Sequence, residues 1–327
     1  MRIFFCILLI DTVLFSAFVS CGSREKNSSD GSNYADTNSN VSGHIQLSGA
    51  FALYPMAVRW AEEFKKIHPQ VKIDISGGGA GKGMTDVLSG VVDAGMVSRE
   101  VHEQEVQKGA FTFAVVKDAV VMTVNAGNPE LATLRRKGLT RATAARLWNG
   151  ELKTWGEALG VQSPLPVHVF TRSDACGAGE TFAAWFGQKQ ENLNATAVFG
   201  DPGVASAVQK DRVGIGYNNI AYAYDQKNKL PFAGLAIAPI DVNENGTIDP
   251  EEDFYETSET LIRAISENRY PSPPARDLYL VTKEKPNKPE LIEFMKFILT
   301  DGQQFVMESG YIGLSEEKLN AEIKKLN

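Results

Sequence analysis

Three glycine-rich loops, each between a strand pattern and a helix pattern, constrain the possible folds more than any other feature of the sequence. The loops are 48–53 (SGAFAL), 76–83 (SGGGAGKG) and 172–179 (RSDACGAG). Alternating apolar segments, Val71–Ile75 and Val167–Thr171, precede the second and third loops. Strand–turn–helix repetition predicts an α/β fold with parallel strands and helices on both faces of the sheet. A length of 327 residues suits two domains.

Loops of this kind can bind an anion with little formal charge. Glycines let backbone N–H groups approach a ligand closely, and the first N–H groups of a helix have no partner within it. The helix dipole adds roughly half a positive charge at the same end. The sequence therefore predicts an oxyanion pocket where the loops converge. The formal net charge of −7 argues against a nucleic-acid partner, which would need a basic surface.

The second loop does not match the known nucleotide motifs. The P-loop pattern requires Gly where this chain has Ser76, and Ser or Thr where it has Gly83. The dinucleotide pattern G-x-G-x-x-G requires Gly where this chain has Lys82. The sequence therefore predicts no nucleotide ligand.

Two arginines could add formal charge to the predicted pocket. Arg172 ends a predicted strand, with Asp174 placed to orient it, and Arg99 follows the predicted short strand Asp93–Ser98. A guanidinium offers a planar set of donors that suits an oxyanion. The alternative for each arginine is an ordinary surface ion pair.

The amino terminus is typical of an exported protein. In residues 1–20, Arg2 precedes an almost wholly apolar run, which predicts a signal peptide. The residues around Cys21 are similar to the cleavage box of bacterial lipoproteins, which implies lipidation of Cys21; a cleaved secretory signal with a free Cys21 is the alternative. Residues 21–43 are mostly polar and predict a disordered tether. The expected location is extracytoplasmic (periplasmic), with membrane attachment only through the lipid.

Two segments could be crossings between lobes, at 125–129 and at 268–274. If both are crossings, residues 44–125 plus 275–327 form lobe I and residues 126–274 form lobe II. A lobe made of discontinuous segments, with a cleft at the crossings, is typical of a hinge-closing receptor. Two consecutive, independent domains remain the alternative at this point.

Several motifs taken together resemble the phosphate-binding receptors of bacterial high-affinity phosphate ABC transporters, over nearly the whole mature chain. The similar stretches are SGAFALYP from Ser48, WAEEF from Trp60, GGGAG from Gly77, VDAG with Ser98 and Arg99, LWNGELKTW from Leu147, Arg172-Ser-Asp174 with Gly177, and GIGY from Gly214. The resemblance implies a two-lobed periplasmic-binding-protein-like α/β fold with two hinge crossovers and a ligand site in the cleft. It also implies phosphate and a membrane permease as partners, and no catalytic reaction.

The resemblance also implies where the phosphate would bind. The implied contacts come from loop one, loop two, the end of the Asp93 strand and loop three: Phe51, Ala52, Ala80, Gly81, Ser98, Arg99, Arg172, Cys176, Gly177 and Ala178. The Cys176 N–H group is expected to face the anion.

This chain departs from the family at several of these positions. Phe51, Ala52, Ala80, Cys176 and Ala178 stand where the family usually has hydroxyl groups. Ser98 replaces the carboxylate that accepts a proton from phosphate, so discrimination against sulfate has no obvious source. Phosphate is thus implied by the resemblance, whereas the residues themselves support a tetrahedral oxyanion.

Residues 241–252 (DVNENGTIDPEE) fit the 12-position calcium loop. The pattern predicts a Ca²⁺ cofactor with six ligand positions: Asp241, Asn243, Asn245, the Thr247 carbonyl, Asp249 and Glu252. Gly246 stands at the sharp turn. An apolar strand pattern precedes the loop in place of the usual helix, which predicts a structural site. The alternative is a loop of Asx turns that caps the next helix.

Other functions receive less support. One alternative is a sensing or scavenging adaptor with a degenerate pocket, or a receptor for another tetrahedral oxyanion. Cys176, near a helix start, could be a nucleophile, but no histidine lies near it in sequence, so an enzyme ranks third.

Overall fold

The computed structural model describes residues 41–327. Nine strands form one curled sheet: β1 (Gly43–Gly49), β2 (Val71–Gly77), β3 (Ala94–Val97), β4 (Ala110–Asn125), β5 (His168–Arg172), β6 (Thr196–Val198), β7 (Gly214–Asn219), β8 (Leu235–Ile237) and β9 (Ala275–Lys283). The order is β2-β1-β3-β9-β4-β7-β5-β6, and β8 pairs with β4. The predicted signal peptide, Cys21 and all but the end of the predicted tether lie outside the described residues.

Twelve α-helices accompany the sheet in the described part of the chain. They are α1 (Tyr54–Ile67), α2 (Ala80–Leu88), α3 (Glu103–Gln107), α4 (Leu131–Lys137), α5 (Arg141–Trp148), α6 (Trp155–Leu159), α7 (Gly177–Trp185), α8 (Gly200–Lys210), α9 (Ile220–Ala223), α10 (Ser258–Ser266), α11 (Pro289–Leu299) and α12 (Glu316–Leu326). Two 3₁₀ helices lie at Gln190–Asn192 and Asp301–Phe305. Among residues 41–327, no helix combines the length and apolar character needed to cross a membrane.

The sheet is mixed, whereas the sequence pattern predicted parallel strands. β1 pairs in parallel with β2 and β3, and β5 pairs in parallel with β6 and β7. The long strands β4 and β9 pair antiparallel with each other. The physical reason is the path of the chain, because β4 runs from one hydrophobic core to the other and β9 returns in the opposite direction.

Two hydrophobic cores flank these long strands. The first contains Trp60 and Phe294, and the second contains Trp148 and Tyr217, all fully buried. Along β4, Val116 belongs to the first core and Ala119 to the second; along β9, Ala275 belongs to the second and Leu278 to the first. The chain therefore changes cores inside β4 and near the start of β9.

The segment 119–125, which sequence analysis assigned to lobe I, packs in the second core up to Val124. Asn125 anchors the end of β4 there, because its Nδ2 donates to the carbonyls of Val208 and Gln209 on α8 at 2.9 and 2.8 Å. The glycine and proline after Asn125 thus form a turn within this half. The domain boundaries given above stay predictions, and the packing favours a crossing near residues 117–118.

Loop two is positioned by close packing of α2 on the sheet. Gly83 of α2 lies so near β1 and β3 that a Cβ atom there would be 2.6 Å from the Met96 carbonyl oxygen and 2.9 Å from Gly49 Cα. These neighbours are backbone atoms and cannot rotate away. Only glycine fits this contact.

We predict that Gly83→Ala lowers the free energy of unfolding by about 2 kcal/mol or more, because the added methyl overpacks a backbone contact. Urea denaturation would measure the change. Gly313→Ala is the matched control, since a Cβ at Gly313 would meet no atom within 4 Å among the described residues. Equal stability of the two variants would contradict the prediction.

Candidate functional site

The three glycine-rich loops lie together, as the sequence predicted. The N–H groups of Gly78 and Gly79 in loop two donate to the Gly49 carbonyl of loop one, at 2.9 and 3.1 Å. The Gly81 N–H group donates to the Ala175 carbonyl of loop three at 3.3 Å. Loops one and two follow strands of the first core, whereas loop three follows β5. The loops therefore meet where the two halves of the chain face each other.

Ser98, just after β3, touches the start of α7. A Cβ atom on Gly177 would overlap the carbonyl and hydroxyl oxygens of Ser98, so only glycine allows this approach. Gly79 is similarly close to loop three, because a Cβ atom there would lie 2.8 Å from Asp174 Oδ2. Both glycines keep the opposing loops within reach of one small ligand.

Arg172 is buried among carboxylates. Its Nε donates to Asp174 Oδ1 at 2.8 Å, its Nη2 pairs with the same carboxylate, and its Nη1 pairs with Asp201. Burial opposes the charge, but Asp201 and the neighbouring negative groups outweigh it and raise the pKa of Arg172 above its usual value. Arg172 is therefore permanently charged and held in one orientation, with its guanidinium 5.5 Å from the Phe51 ring centroid.

The two ion pairs do not use every N–H group of Arg172. A guanidinium has five N–H groups, and three of them donate to the two carboxylates among the described residues. The remaining two, one on Nη1 and one on Nη2, take no part in these bonds.

Arg99 is engaged elsewhere. It forms a bidentate pair with Glu105, at 2.9 and 2.7 Å, and its Nε lies 3.0 Å from Glu180 Oε2 on α7. Burial opposes its charge, but Glu105 and Glu180 outweigh it and raise the pKa of Arg99. The predicted contact between Arg99 and the anion stays a prediction, and it would compete with these ion pairs.

Cys176 caps α7 and does not present its amide to the cleft. Its Sγ accepts the Gly179 N–H at 3.2 Å, and its own N–H donates to Gln190 Oε1 at 3.1 Å. The prediction that the Cys176 amide faces the anion is therefore wrong. Burial raises the pKa of the thiol to about 12, which leaves it protonated at neutral pH. Gly177 and Ala178 follow as the buried first residues of α7, where N–H groups lack partners within the helix.

Loop one is fixed by two tyrosines. Tyr222 donates its hydroxyl to the Phe51 carbonyl at 3.2 Å, and Tyr311 donates to the Ala52 carbonyl at 2.7 Å. Loop two enters α2 at Ala80, which is fully buried, and the Gly81 N–H group is already used by loop three. The structure thus brings the three loops, Ser98 and Arg172 into one region, but not all of their donors are available, and Arg99 faces Glu105 and Glu180 instead.

Sequence reasoning missed a second buried arginine at this place. Arg276, on β9, donates from Nε to the Ser98 carbonyl at 3.1 Å and from Nη2 to Asn219 Oδ1. Its Nη1 lies 3.7 Å from Asp118 Oδ2 on β4. Burial lowers the pKa of Arg276, although Asp118 and Asp201 act in the opposite direction.

Asp118 is the least satisfied group in this region. It is 1% exposed, and within residues 41–327 neither carboxylate oxygen receives a hydrogen bond of normal geometry, although the amides of Ala119 and Ile220 lie near. Burial raises its pKa to about 6, against the opposing effect of Arg276. Adjacent charges inside apolar strands, Lys117-Asp118 and Arg276-Asp277, were the available signal, because successive residues of a strand face opposite sides and one charge of each pair then faces the interior, where it needs a partner.

A cavity of about 380 Å³ opens beside this cluster. Arg99, Glu180, Tyr270 and Arg276 are among its lining residues, whereas the three glycine-rich loops do not line it. The cavity therefore reaches the outer side of the charged cluster and is not the predicted anion pocket.

Comparison with known proteins decides the family. A family model described as the PBP superfamily domain matches residues 35–302. The chain belongs to this family. A phosphate-binding protein PstS of Pseudomonas aeruginosa is 28% identical over 310 residues, which cover 88% of each chain. A PstS of Staphylococcus haemolyticus is 24% identical and covers 97% of this chain and 96% of its own.

Solved structures confirm the two-lobed α/β fold of this PBP family member. A substrate-binding protein of Clostridium perfringens with bound phosphate has a TM-score of 0.68 at 24% identity, covering 84% of this chain and all of its own. An ABC-type phosphate transport receptor of Vibrio cholerae has a TM-score of 0.61 at 20% identity, covering 83% and 100%. The expected fold class is thus confirmed.

The predicted calcium loop lies between β8 and α10, beside the second core. In the described part of the chain, no group of three His, Cys, Asp or Glu side chains is arranged to hold a metal. The loop would instead combine carboxylates with amide and carbonyl oxygens, as its sequence pattern requires.

We predict that Asp118 makes stability depend on pH. Its pKa is about 6 in the fold against an ordinary value of 3.8, so the folded state binds the proton more tightly and loses stability as pH rises from about 4 to 6. The loss attributable to this group is on the order of 3 kcal/mol.

Urea denaturation of the parent chain and Asp118→Asn, each at pH 5 and pH 7.5, would measure this effect. Because every other titrating group is shared, the difference between the two proteins isolates Asp118. The free energy of unfolding of the parent, relative to that of Asp118→Asn, should be larger at pH 5 than at pH 7.5. A difference that does not change with pH would contradict the raised pKa.

Proposed function

We propose that this protein is an extracytoplasmic solute-binding lipoprotein that captures inorganic phosphate and delivers it to the permease of an ABC transporter. One observation supports this most strongly: three glycine-rich loops and the buried Arg172 meet between the two halves of a chain that aligns along almost its full length with proteins named PstS. Its relatives are binding proteins. We infer that no bond is made or broken in the ligand.

The binding would depend mainly on backbone N–H groups. The N–H groups that stay unpaired at the starts of α2 and α7 would donate to the anion, together with the helix dipoles, and Arg172 would add two further N–H groups and a fixed charge. The ligand would contact loops from both halves at once, so it would stabilise the closed form. The permease would then recognise that form.

Asp118 offers a source of selectivity that Ser98 cannot supply. Hydrogen phosphate carries a proton that a carboxylate can accept, whereas sulfate at neutral pH carries none. Arg276 connects Asp118 to Ser98, through the 3.7 Å approach of its Nη1 to the carboxylate and its 3.1 Å bond to the Ser98 carbonyl. We infer that Asp118 replaces the acceptor missing at position 98.

The location and anchor depend on the amino terminus. The apolar segment 1–20 and the lipoprotein-like residues at Cys21 support export, cleavage and attachment through a lipid on Cys21. A lipidated Cys21 would hold the protein at the membrane, with both lobes free in the extracytoplasmic space at the end of a polar tether.

A second candidate is a sensing or scavenging adaptor that does not feed a transporter. The observation that favours it is the amount of negative charge in the cleft, where Arg172 and Arg276 face Asp118, Asp174 and Asp201. Such a cluster has no surplus positive charge, so anion affinity could be weak. Affinity therefore separates the two candidates.

We predict that the mature protein binds phosphate at micromolar concentration or tighter, and that Arg172→Lys weakens binding about tenfold or more. Lysine cannot keep both carboxylate pairs and also donate to the anion in the same plane. Alanine is less suitable, because it would leave the buried Asp201 carboxylate with the Asn219 N–H group but without its cationic partner. Isothermal titration calorimetry would measure the affinities.

Arg146→Lys is the matched control, because Arg146 is exposed on α5 and pairs with Glu151 at 3.3 Å. Its phosphate affinity should equal that of the parent. Unchanged affinity in Arg172→Lys would show that the site is elsewhere. Failure of the parent to bind phosphate, sulfate or molybdate would favour the adaptor.

We also predict that Asp118→Asn reduces the preference for phosphate over sulfate at pH 7.5. The amide keeps the shape of the side chain and can donate to either anion, but it removes the negative charge that repels sulfate. Competition calorimetry with both anions would give the ratio. An unchanged ratio would assign the selectivity to other groups.

A further inference from the structure

Residues 241–252 form an ordered loop whose turns follow the 12-position calcium pattern. Gly246, at position 6, has φ +84°, the left-handed conformation that the sharp turn requires. The N–H groups of Asn245 and Thr247 donate to the side-chain oxygens of Asn243 and Asn245, at 3.0 and 2.9 Å. The Nδ2 groups of both asparagines donate to Asp249 Oδ2 at 2.8 Å, so the side chains at positions 3, 5 and 9 lie together.

Asp241, at position 1, has an unsatisfied oxygen in this place. The residue is 1% exposed, its Oδ2 accepts the Gly246 N–H at 2.8 Å, and its Oδ1 has no hydrogen-bond partner among the described residues. A buried carboxylate oxygen without a donor is costly unless a cation neutralises it. The bond to Gly246 orients the carboxylate into the loop.

Glu252, at position 12, is turned into the same loop. It is 7% exposed, and its carboxylate accepts N–H groups from Val242, Asn243 and Asp249 at 2.8, 3.1 and 3.2 Å. A carboxylate has about four acceptor positions, and these three bonds leave one of them, on Oε2, open to a metal. Two mostly buried carboxylates thus face one small space.

The loop is held by a segment of the second core instead of a paired calcium loop. The Ile248 N–H, at position 8, donates to the Arg136 carbonyl at 2.8 Å, and the Asp241 N–H donates to the Leu139 carbonyl at 3.2 Å. Gly138 lies between these contacts, where a Cβ atom would be 2.9 Å from Asp241 N. This attachment fixes the loop without a second site.

We propose that loop 241–252 binds one Ca²⁺ ion through a set of side-chain and carbonyl oxygens. The ligands would be Asp241 Oδ1, the side-chain oxygens of Asn243 and Asn245, the Thr247 carbonyl, Asp249 directly or through water, and Glu252 through Oε2, with Oε1 joining if it gives up one of its two N–H bonds. The oxygen-only donors and irregular loop suit Ca²⁺ more than Mg²⁺, which requires near-octahedral geometry. The ion would offset the repulsion among three carboxylates.

The ion would have a structural role. The loop connects the strand β8, which pairs with β4, to α10, and α10 leads to β9. Calcium would therefore fix the connection between the second core and the returning hinge strand. Two neutral Asn ligands predict modest affinity, in the range of about 10⁻⁴–10⁻³ M found in extracellular modules.

Calorimetry and thermal unfolding of the full mature chain would test the site, after chelator treatment and in phosphate-free buffer. We expect CaCl₂ to bind with a stoichiometry near one and, at about a hundredfold excess over Kd, to raise the Tm by about 5 °C. MgCl₂ at the same concentration should raise it less. Asp241→Asn and Glu252→Gln should each weaken calcium binding at least about tenfold.

Glu244→Gln is the matched control, because Glu244 lies at non-ligand position 4 of the same loop and is exposed. It should bind calcium like the parent. Glu252→Gln keeps the test valid if Asp241→Asn fails to fold. Absence of calcium binding by the parent up to about 10 mM, or equal calcium affinity in all variants, would overturn the proposal. The result does not depend on phosphate binding.

Discussion

The structure depends on a set of buried charges that joins its two halves. Arg172 pairs with Asp174 and Asp201, and Arg276 links Ser98 to Asn219 and approaches Asp118. Buried charges are stable only when partners surround them, so each member restricts the position of the others. In this conformation loop three and the end of β3 are therefore held in fixed positions.

This arrangement shows how an acidic chain can form an anion site. The net charge of −7 describes the whole molecule, whereas a small ligand in the cleft experiences nearby N–H groups, helix dipoles and one or two guanidinium groups. Because loops one and three lack the hydroxyl groups that are usual in the family, backbone N–H groups would supply most of the hydrogen bonds to the anion. Under the proposed function, the carboxylates in the same cluster would limit affinity and would provide a basis for selecting a protonated anion.

Much of the fold and part of the site followed from local sequence patterns, but some features did not. The strand, loop and helix order around 48–53, 76–83 and 172–179 was predicted, and so was the pairing of Arg172 with Asp174, two residues apart. The continuous path of β4 through both cores was not predicted, because the apolar residues that face the first core look the same in sequence as those that face the second. Arg99 was interpreted as an anion ligand, since sequence alone does not show that Glu105 and Glu180 surround it.

The sequence by itself determined the local features: apolar periodicity, glycines at the helix starts, and the 12 spaced positions of loop 241–252. Each depends on residues within a few positions of one another. Only the tertiary structure decided that Arg172 meets Asp201, 29 residues away, and that Arg276 meets Ser98, 178 residues away. The physical reason is that a buried charge takes whichever partner the folded chain brings near, and spacing along the chain contains no information about that partner.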